Sequence, residues 1–159
     1  MKKLFITLTT LFLLLTTFVA CNKEEENPGI PFTKFSLSET SCRWVNMVIT
    51  EEDFPFPSEL IIINSVEELR NNITCDVTDG EYKLPVIDFS RYTLLLARGQ
   101  RGAFRHIYID VQQLSAQNYV VNLIQATTYF HAISEYWYVA ILIDKLNEGD
   151  NVKLNVIHH

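Results

Sequence analysis

The spacing of apolar and polar residues predicts a chain built mainly of β-strands. The segment Ala103–Leu114 alternates, with His106, Tyr108 and Asp110 on one face and apolar residues on the other. Ser58–Asn64 is instead apolar at consecutive positions, which favours a strand covered on both faces. Strands joined by tight turns indicate an antiparallel meander, so we expect an antiparallel β-sandwich or roll. The predicted strands are Cys42–Thr50, Ser58–Asn64, Tyr92–Arg98, Ala103–Leu114, Asn118–Tyr129, Tyr136–Lys145 and Asn151–Ile157.

One short helix interrupts this pattern. Ser65-Val66-Glu67-Glu68 forms a capping box, in which the Ser65 hydroxyl and the Glu68 carboxylate each accept a free backbone N–H. Val66, Leu69 and Ile73 follow at helical spacing, which predicts a helix near 66–72. The fold class is therefore mainly β, of the α+β type. We also expect a hairpin turn at 99–102 and a second turn at 147–150.

The first apolar run of the chain indicates export rather than structure. Met1-Lys2-Lys3 precedes the apolar run Leu4–Phe18, and the small residues Val19 and Ala20 lead into Cys21. This arrangement predicts a signal peptide over residues 1–20. It resembles a bacterial lipoprotein signal, in which Cys21 becomes the acylated first residue and carries chains such as palmitate. The alternative, an uncleaved transmembrane helix, would be short for a span of about 20 residues.

The polar residues after Cys21 predict an acylated flexible tether over 21–34, before a single β-rich domain over 35–159. Cys21–Glu26 is similar to the export tag of surface-exposed lipoproteins in the Bacteroidetes. We therefore expect an outer membrane lipoprotein exposed at the cell surface, with the periplasmic face as the alternative. Two or more acyl chains would hold the protein firmly on the membrane.

Net charge argues against one class of partner, and the cysteines indicate a disulfide. The net charge of the 159 residues is −6, and loss of Lys2 and Lys3 with the signal leaves −8. Repulsion from phosphate backbones therefore argues against nucleic acid binding. In an oxidising compartment Cys42 and Cys75 are expected to form a disulfide. The alternative is a reactive or metal-binding thiol.

The sequence contains no recognisable catalytic motif, cofactor loop or metal-ligand spacing. His106, Tyr108 and Asp110 share a strand face but lie about 7 Å apart, too far to act as a triad. We expect a non-enzymatic protein without a cofactor or metal. The alternative is a hydrolase or glycan-processing enzyme that uses ionisable groups brought together by the fold, with His106, Asp110, His131 and Glu135 as its candidates.

An aromatic cluster is the candidate ligand-binding surface. Six aromatic or histidine residues flank a predicted turn at 132–135, where exposed rings could stack on sugars or anchor a protein. In the alternative interpretation Trp137 points inward with Val139, Ile141 and Ile143, while Tyr136 and Tyr138 pair across strands. The cluster consists of Tyr129, Phe130, His131, Tyr136, Trp137 and Tyr138.

Three further segments carry a family resemblance. Ser65–Leu69, Pro85–Ser90 and Tyr92–Ala97 resemble a group of uncharacterised small lipoproteins of gut Bacteroidetes. They are more distantly similar to the C-terminal domain of protease-complex accessory lipoproteins. The chain has Gly102-Ala103-Phe104 where that accessory family has a glycine-glycine-tyrosine step. The resemblance carries over no catalytic residues. We expect a non-enzymatic envelope lipoprotein that binds a protein or glycan through one face or edge of its sheet.

Overall fold

The computed structural model describes residues 29–46, 58–76, 84–102, 106–126 and 134–158. These residues form a mainly β fold with one short helix, which confirms the predicted fold class. The elements in chain order are β1 (Thr33–Phe35), β2 (Cys42–Trp44), β3 (Ser58–Ile63), α1 (Val66–Asn72), β4 (Ile73–Cys75), β5 (Tyr92–Gly102), β6 (His106–Ser115), β7 (Asn118–Ala126), β8 (Ser134–Asp144) and β9 (Asn151–His158).

Two sheets pack face to face, and a third layer covers the outer side of the larger one. The four-stranded sheet has the order β1-β8-β5-β3 and is antiparallel throughout. The three-stranded sheet has the order β6-β7-β9. The first core, between these sheets, includes Leu95, Val111, Leu123 and Ile141. The second core lies on the opposite face of the four-stranded sheet and includes Ile63, Leu69 and Leu96.

The central strand β5 is buried on both faces because its side chains alternate between the two cores. Leu95 and Ala97 lie in the first core, whereas Leu94 and Leu96 lie in the second. β3 behaves in the same way, as its continuous apolar run predicts. The four-stranded sheet is thus the middle layer of the molecule.

The predicted helix is present over Val66–Asn72. The Ser65 hydroxyl accepts the Glu68 N–H at 3.1 Å, and Glu68 Oε2 accepts the Asn64 N–H at 2.5 Å. Leu69 is buried against the second core, while Val66 points outward. The helix is followed at once by β4, which pairs with β2 as a two-stranded ribbon.

Cys42 and Cys75 are direct cross-strand partners in this ribbon and are joined by a disulfide. The predicted disulfide is therefore present in the structure. It fixes the ribbon over the second core, to which both cysteines contribute. The predicted strand over 42–50 is shorter, because β2 ends at Trp44, and residues 47–50 lie outside the described residues.

Two topological predictions are wrong. The segment 99–102 is not a turn, because β5 continues to Gly102 and pairs with β8 along its whole length. The fold is also not a purely antiparallel meander, because β9 pairs with β7 in parallel. The chain crosses between the two sheets after β5, after β7 and after β8, and the last crossing uses the predicted turn at 147–150.

The domain begins earlier than predicted. The sequence predicts a flexible tether that includes residues 29–34, but the Ile30 N–H donates to the Val111 carbonyl at 2.7 Å, and Thr33 pairs with Leu142. The segment 29–35, here called the strap, therefore joins both sheets. Ile30 and Phe32 pack against the first core, and Phe35 packs against the second. The predicted signal and the rest of the tether, residues 1–28, lie outside the described residues.

Candidate functional site

The outer surface of the three-stranded sheet presents a row of short polar side chains. Alternation along β6 buries Val111 in the first core, packs the partly buried Ile107 and Ile109 against it, and turns Tyr108 and Asp110 outward, as predicted. On β7 and β9 the same alternation turns asparagines to this surface. We call the surface the amide face and define it by Tyr108, Asp110, Gln112, Asn122 and Asn155.

Strand register aligns three of these residues across the sheet. Asp110 lies opposite Asn122, and Asn122 lies opposite Asn155. Adjacent strands are about 4.8 Å apart, so the row spans about 10 Å. Hydrogen bonds connect it throughout, because Asn122 Nδ2 donates to Asp110 Oδ2 at 3.2 Å and Asn155 Nδ2 donates to Asn122 Oδ1 at 3.0 Å. These bonds fix the orientation of the amide planes.

Asp110 is the acceptor at one end of the row. Its Oδ2 also accepts from Gln112 Nε2 at 2.7 Å, whereas Oδ1 accepts from no described residue. A Cβ added to Gly29 would lie 3.9 Å from Oδ1, so the start of the strap lies beside this carboxylate. The carboxylate therefore has one oxygen fixed by amides and a second oxygen that accepts no hydrogen bond from the described part of the chain.

Apolar side chains flank the row on the side of Tyr108. Tyr108 lies opposite Ile124, which lies opposite Ile157. The tyrosine is 62% exposed, while the two isoleucines are partly buried. Gln112, Val120 and Lys153 line the other side. The amide face thus combines a flat ring, oriented amides and one carboxylate.

The aromatic cluster is divided by the fold. Trp137 is 8% exposed and packs in the first core with Ile141 and Ile143, so it is not a surface ligand-binding residue. Tyr136 is 40% exposed and lies opposite Gln100 on β5. Tyr129, Phe130 and His131 lie outside the described residues. A ligand-binding tip remains a hypothesis for the parts of the cluster other than Trp137.

Tyr138 serves a structural contact. Its hydroxyl donates to Asn46 Oδ1 at 2.6 Å, and its ring packs against the second core. Burial raises the pKa of this phenol above its ordinary value, and the nearby Arg98 only partly offsets that effect. The neutral hydroxyl is therefore the form that holds Asn46.

Arg98 holds the adjacent segment in place, a role that the sequence did not indicate. It pairs with Glu59 through Nε, and its Nη1 donates to the Val45 carbonyl at 2.8 Å. Glu59, Arg98 and Tyr138 are neighbours in one cross-strand row. Arg98 and Tyr138 each hydrogen-bond to this segment, so the cluster positions residues 45–46.

The two described candidates for the hydrolase alternative, His106 and Asp110, are not brought together. His106 and Asp110 lie four residues apart on β6, a separation of about 13 Å. His131 is outside the described residues, and the side chain of Glu135 is not described. Within the described ranges, no group of three or more His, Cys, Asp or Glu residues is placed to hold a metal ion.

Comparisons of the chain with protein-family models, with curated proteins and with solved structures find no match. No helix among the described residues is long and apolar enough to span a membrane.

Proposed function

We propose that this chain is a non-enzymatic lipoprotein of the cell envelope that binds a protein or glycan partner through the amide face. In this proposal acyl chains on Cys21 hold it on the outer membrane, with the domain exposed at the cell surface. The sharper version, suggested by the sequence resemblance, is an accessory subunit of a protease complex. The observation that carries the binding role is the hydrogen-bonded row of Asp110, Asn122 and Asn155 across three strands.

The residues of this row are of types that are disfavoured in β-strands. Asn and Asp are depleted in β-strands, where the preference scale spans about 1 kcal/mol per residue, yet they occupy facing positions on all three strands. A residue that is disfavoured in its secondary structure and adds nothing to the core is more often kept for function than for stability. The row faces away from both cores, so it contributes nothing to apolar packing.

The length of the tether supports binding close to the membrane. Cys21 and Gly29 are eight residues apart in the chain, which corresponds to about 28 Å at full extension. Because the strap is part of both sheets, the tether cannot lengthen further without breaking sheet pairing. A partner of the acylated protein would therefore have to lie at or near the same membrane.

The proposal is tested by crosslinking in cells, followed by purification and identification of the bound material. Three forms are compared: the native chain, Cys21→Ala, and the double variant Asn122→Thr/Asn155→Thr. We expect Cys21→Ala to leave the membrane fraction and the double variant to stay there but lose its partner. Unchanged recovery of the same material with the double variant would exclude the amide face as the binding surface.

A further inference from the structure

The chemistry of the amide face identifies a class of ligand. We infer that the amide face binds a neutral, hydroxyl-rich glycan, with Tyr108 against a sugar ring and the Asp110–Asn122–Asn155 row on its hydroxyl groups. This inference rests on the proposed binding function and names its ligand.

The row offers what sugar hydroxyls require. A hydroxyl group donates one hydrogen bond and accepts two, whereas an amide offers both donors and an acceptor, and a carboxylate is an acceptor only. Asp110 Oδ1 accepts from no described residue, and Asn155 lies at the edge strand with its amide oxygen directed to no described donor. The row thus has acceptor oxygens at its two ends, about 10 Å apart, and each of its amide nitrogens uses only one of two hydrogens within the row.

The amide side chains of the row are already ordered before a ligand binds, which lowers the entropic cost of binding. Ordering a side chain on binding costs about 0.5–1.5 kcal/mol. In the amide face most of this ordering has already occurred on folding, because Gln112, Asn122 and Asn155 are held by hydrogen bonds. Asparagine side chains are also short, so they lose less freedom than lysine or glutamate would.

Tyr108 provides the apolar contact. Its ring is 62% exposed and lies beside the row, with Ile124 and Ile157 continuing an apolar strip across the sheet. A tyrosine brings a large, rigid and amphipathic area at low entropic cost. This strip is narrow compared with the central apolar patch of a protein–protein interface, which is typically rich in several aromatic and arginine residues. A glycan therefore fits the face better than a protein does.

Charge restricts the ligand to neutral glycans. The amide face carries the Asp110 carboxylate, and Lys153 lies at its border, so the local charges nearly cancel. The whole chain has a net charge of −6. An anionic polysaccharide would meet repulsion from the net negative charge of the chain, and the described residues of this face include no cluster of basic side chains to offset that repulsion.

The test is affinity electrophoresis of the full mature chain in gels that contain neutral polysaccharides (amylopectin, galactomannan, xyloglucan and mannan) or the anionic polygalacturonate. We expect retardation by at least one neutral polysaccharide and none by polygalacturonate. Asn122→Thr/Asn155→Thr and Tyr108→Thr should each weaken binding about tenfold or more, since each removes contacts worth at least about 1.4 kcal/mol.

A matched control separates binding from folding. Asn118 and Asn151 also pair across β7 and β9 on the same surface, with a hydrogen bond of 3.4 Å, but they lie about 13 Å along the strands from the row. Asn118→Thr/Asn151→Thr should leave retardation unchanged. Because threonine is preferred in strands, Asn122→Thr/Asn155→Thr should lose binding while unfolding at an equal or higher urea concentration.

The remaining outcomes distinguish this inference from the proposed function. Retardation that is unaffected by the amide-row variants would overturn the inference, because the glycan would bind elsewhere. Absence of retardation in every neutral gel would also overturn it. If crosslinking in cells then showed a protein lost with Asn122→Thr/Asn155→Thr, the proposed function would stand with a protein partner. If no such loss occurred, both would fail.

Discussion

Gly99 is a position where a single hydrogen atom is required as a side chain. A Cβ added there would lie 2.5 Å from Trp137 Cζ2, in the buried layer between the sheets. Gly99→Ala must therefore displace the indole, and we expect a loss of about 1–3 kcal/mol in the free energy of unfolding. Urea unfolding followed by tryptophan fluorescence measures it.

The cause can be assigned with a double-mutant cycle. In a Trp137→Leu background the added methyl group has more room, so Gly99→Ala should cost less than it does in the native chain. Gly149→Ala is the control, because Gly149 has a φ of 91° and no atom within 4 Å of an added Cβ. Its cost comes from the backbone alone and should be the same in both backgrounds. Equal costs for Gly99→Ala in the two backgrounds would contradict the steric explanation.

Gln125 is a buried polar side chain without a hydrogen-bond partner among the described residues. It is fully buried, and neither Nε2 nor Oε1 is paired within that part of the chain. Burying an unpaired amide costs about 1–3 kcal/mol, so we expect Gln125→Met to raise the free energy of unfolding by about 1 kcal/mol. Gln113→Met is the comparison, because Gln113 Nε2 donates to Tyr119 Oη at 3.2 Å and its loss should destabilise the domain. Destabilisation by both substitutions would show that the Gln125 amide is paired within the folded protein.

At the scale of elements, the β2–β4 ribbon depends on its disulfide. The ribbon has only three residues per strand, yet Cys42 and Ile73 help to close the second core. Cys42 and Cys75 are 33 residues apart, and a bond closing a loop of that length contributes about 3–4 kcal/mol. Cys42→Ala/Cys75→Ala should lower the free energy of unfolding by about that amount in urea. A reducing agent should destabilise the native chain and leave the double variant unchanged, and equal responses would show that the bond does not form in solution.

The elements that could be predicted are those whose sequence pattern lies within a few neighbouring residues. Ser65 and Glu68 mark the start of the helix by their own hydrogen bonds, and the alternation in β6 assigns Tyr108 and Asp110 to the outer surface. The prediction of a turn at 99–102 is wrong because glycine can serve two purposes in a sequence, a turn or the close approach of a neighbouring side chain. Gly99 is needed for the close approach of Trp137, whereas a turn would have used its backbone freedom.

The row of the amide face could not be predicted, because it depends on pairing between distant segments. Asn155 reaches Asn122 only through the parallel register of β9 against β7, a contact 33 residues apart in the chain. Parallel pairing of a terminal strand leaves no local pattern, and a slip of one residue would turn Asn155 towards the first core. The sequence could indicate Asp110 as exposed, but not its partners.

At the scale of the whole molecule, the strap joins the two sheets. Gly29 bridges to Gln112 at the edge of the three-stranded sheet, and β1 forms the edge of the four-stranded sheet beside β8. β3 and β9 meet at the opposite side of the sandwich. The strap therefore closes the side of the sandwich that β3 and β9 leave open, and it does so with residues adjacent to the proposed membrane tether.

Removal of the strap should both destabilise the domain and expose its edges. A chain that begins at Leu37 loses the partly buried side chains of Ile30, Phe32 and Phe35, which together contribute roughly 3 kcal/mol or more. It also leaves backbone groups of β6 and β8 unpaired, and such edges template association with other chains. We expect lower stability in urea and dimers or larger species in sedimentation analysis, whereas a chain that begins at Pro28 should stay monomeric.

Substitutions within the strap separate the two effects. Phe32→Ala removes apolar contacts with the first core but keeps the backbone pairing of β1, so it should lower stability without causing association. If the chain that begins at Leu37 were as stable and as monomeric as the longer one, the strap would contribute neither to the stability of the domain nor to the protection of its sheet edges. In that case the tether between Cys21 and the domain could lengthen under load, and a partner would no longer have to lie close to the membrane.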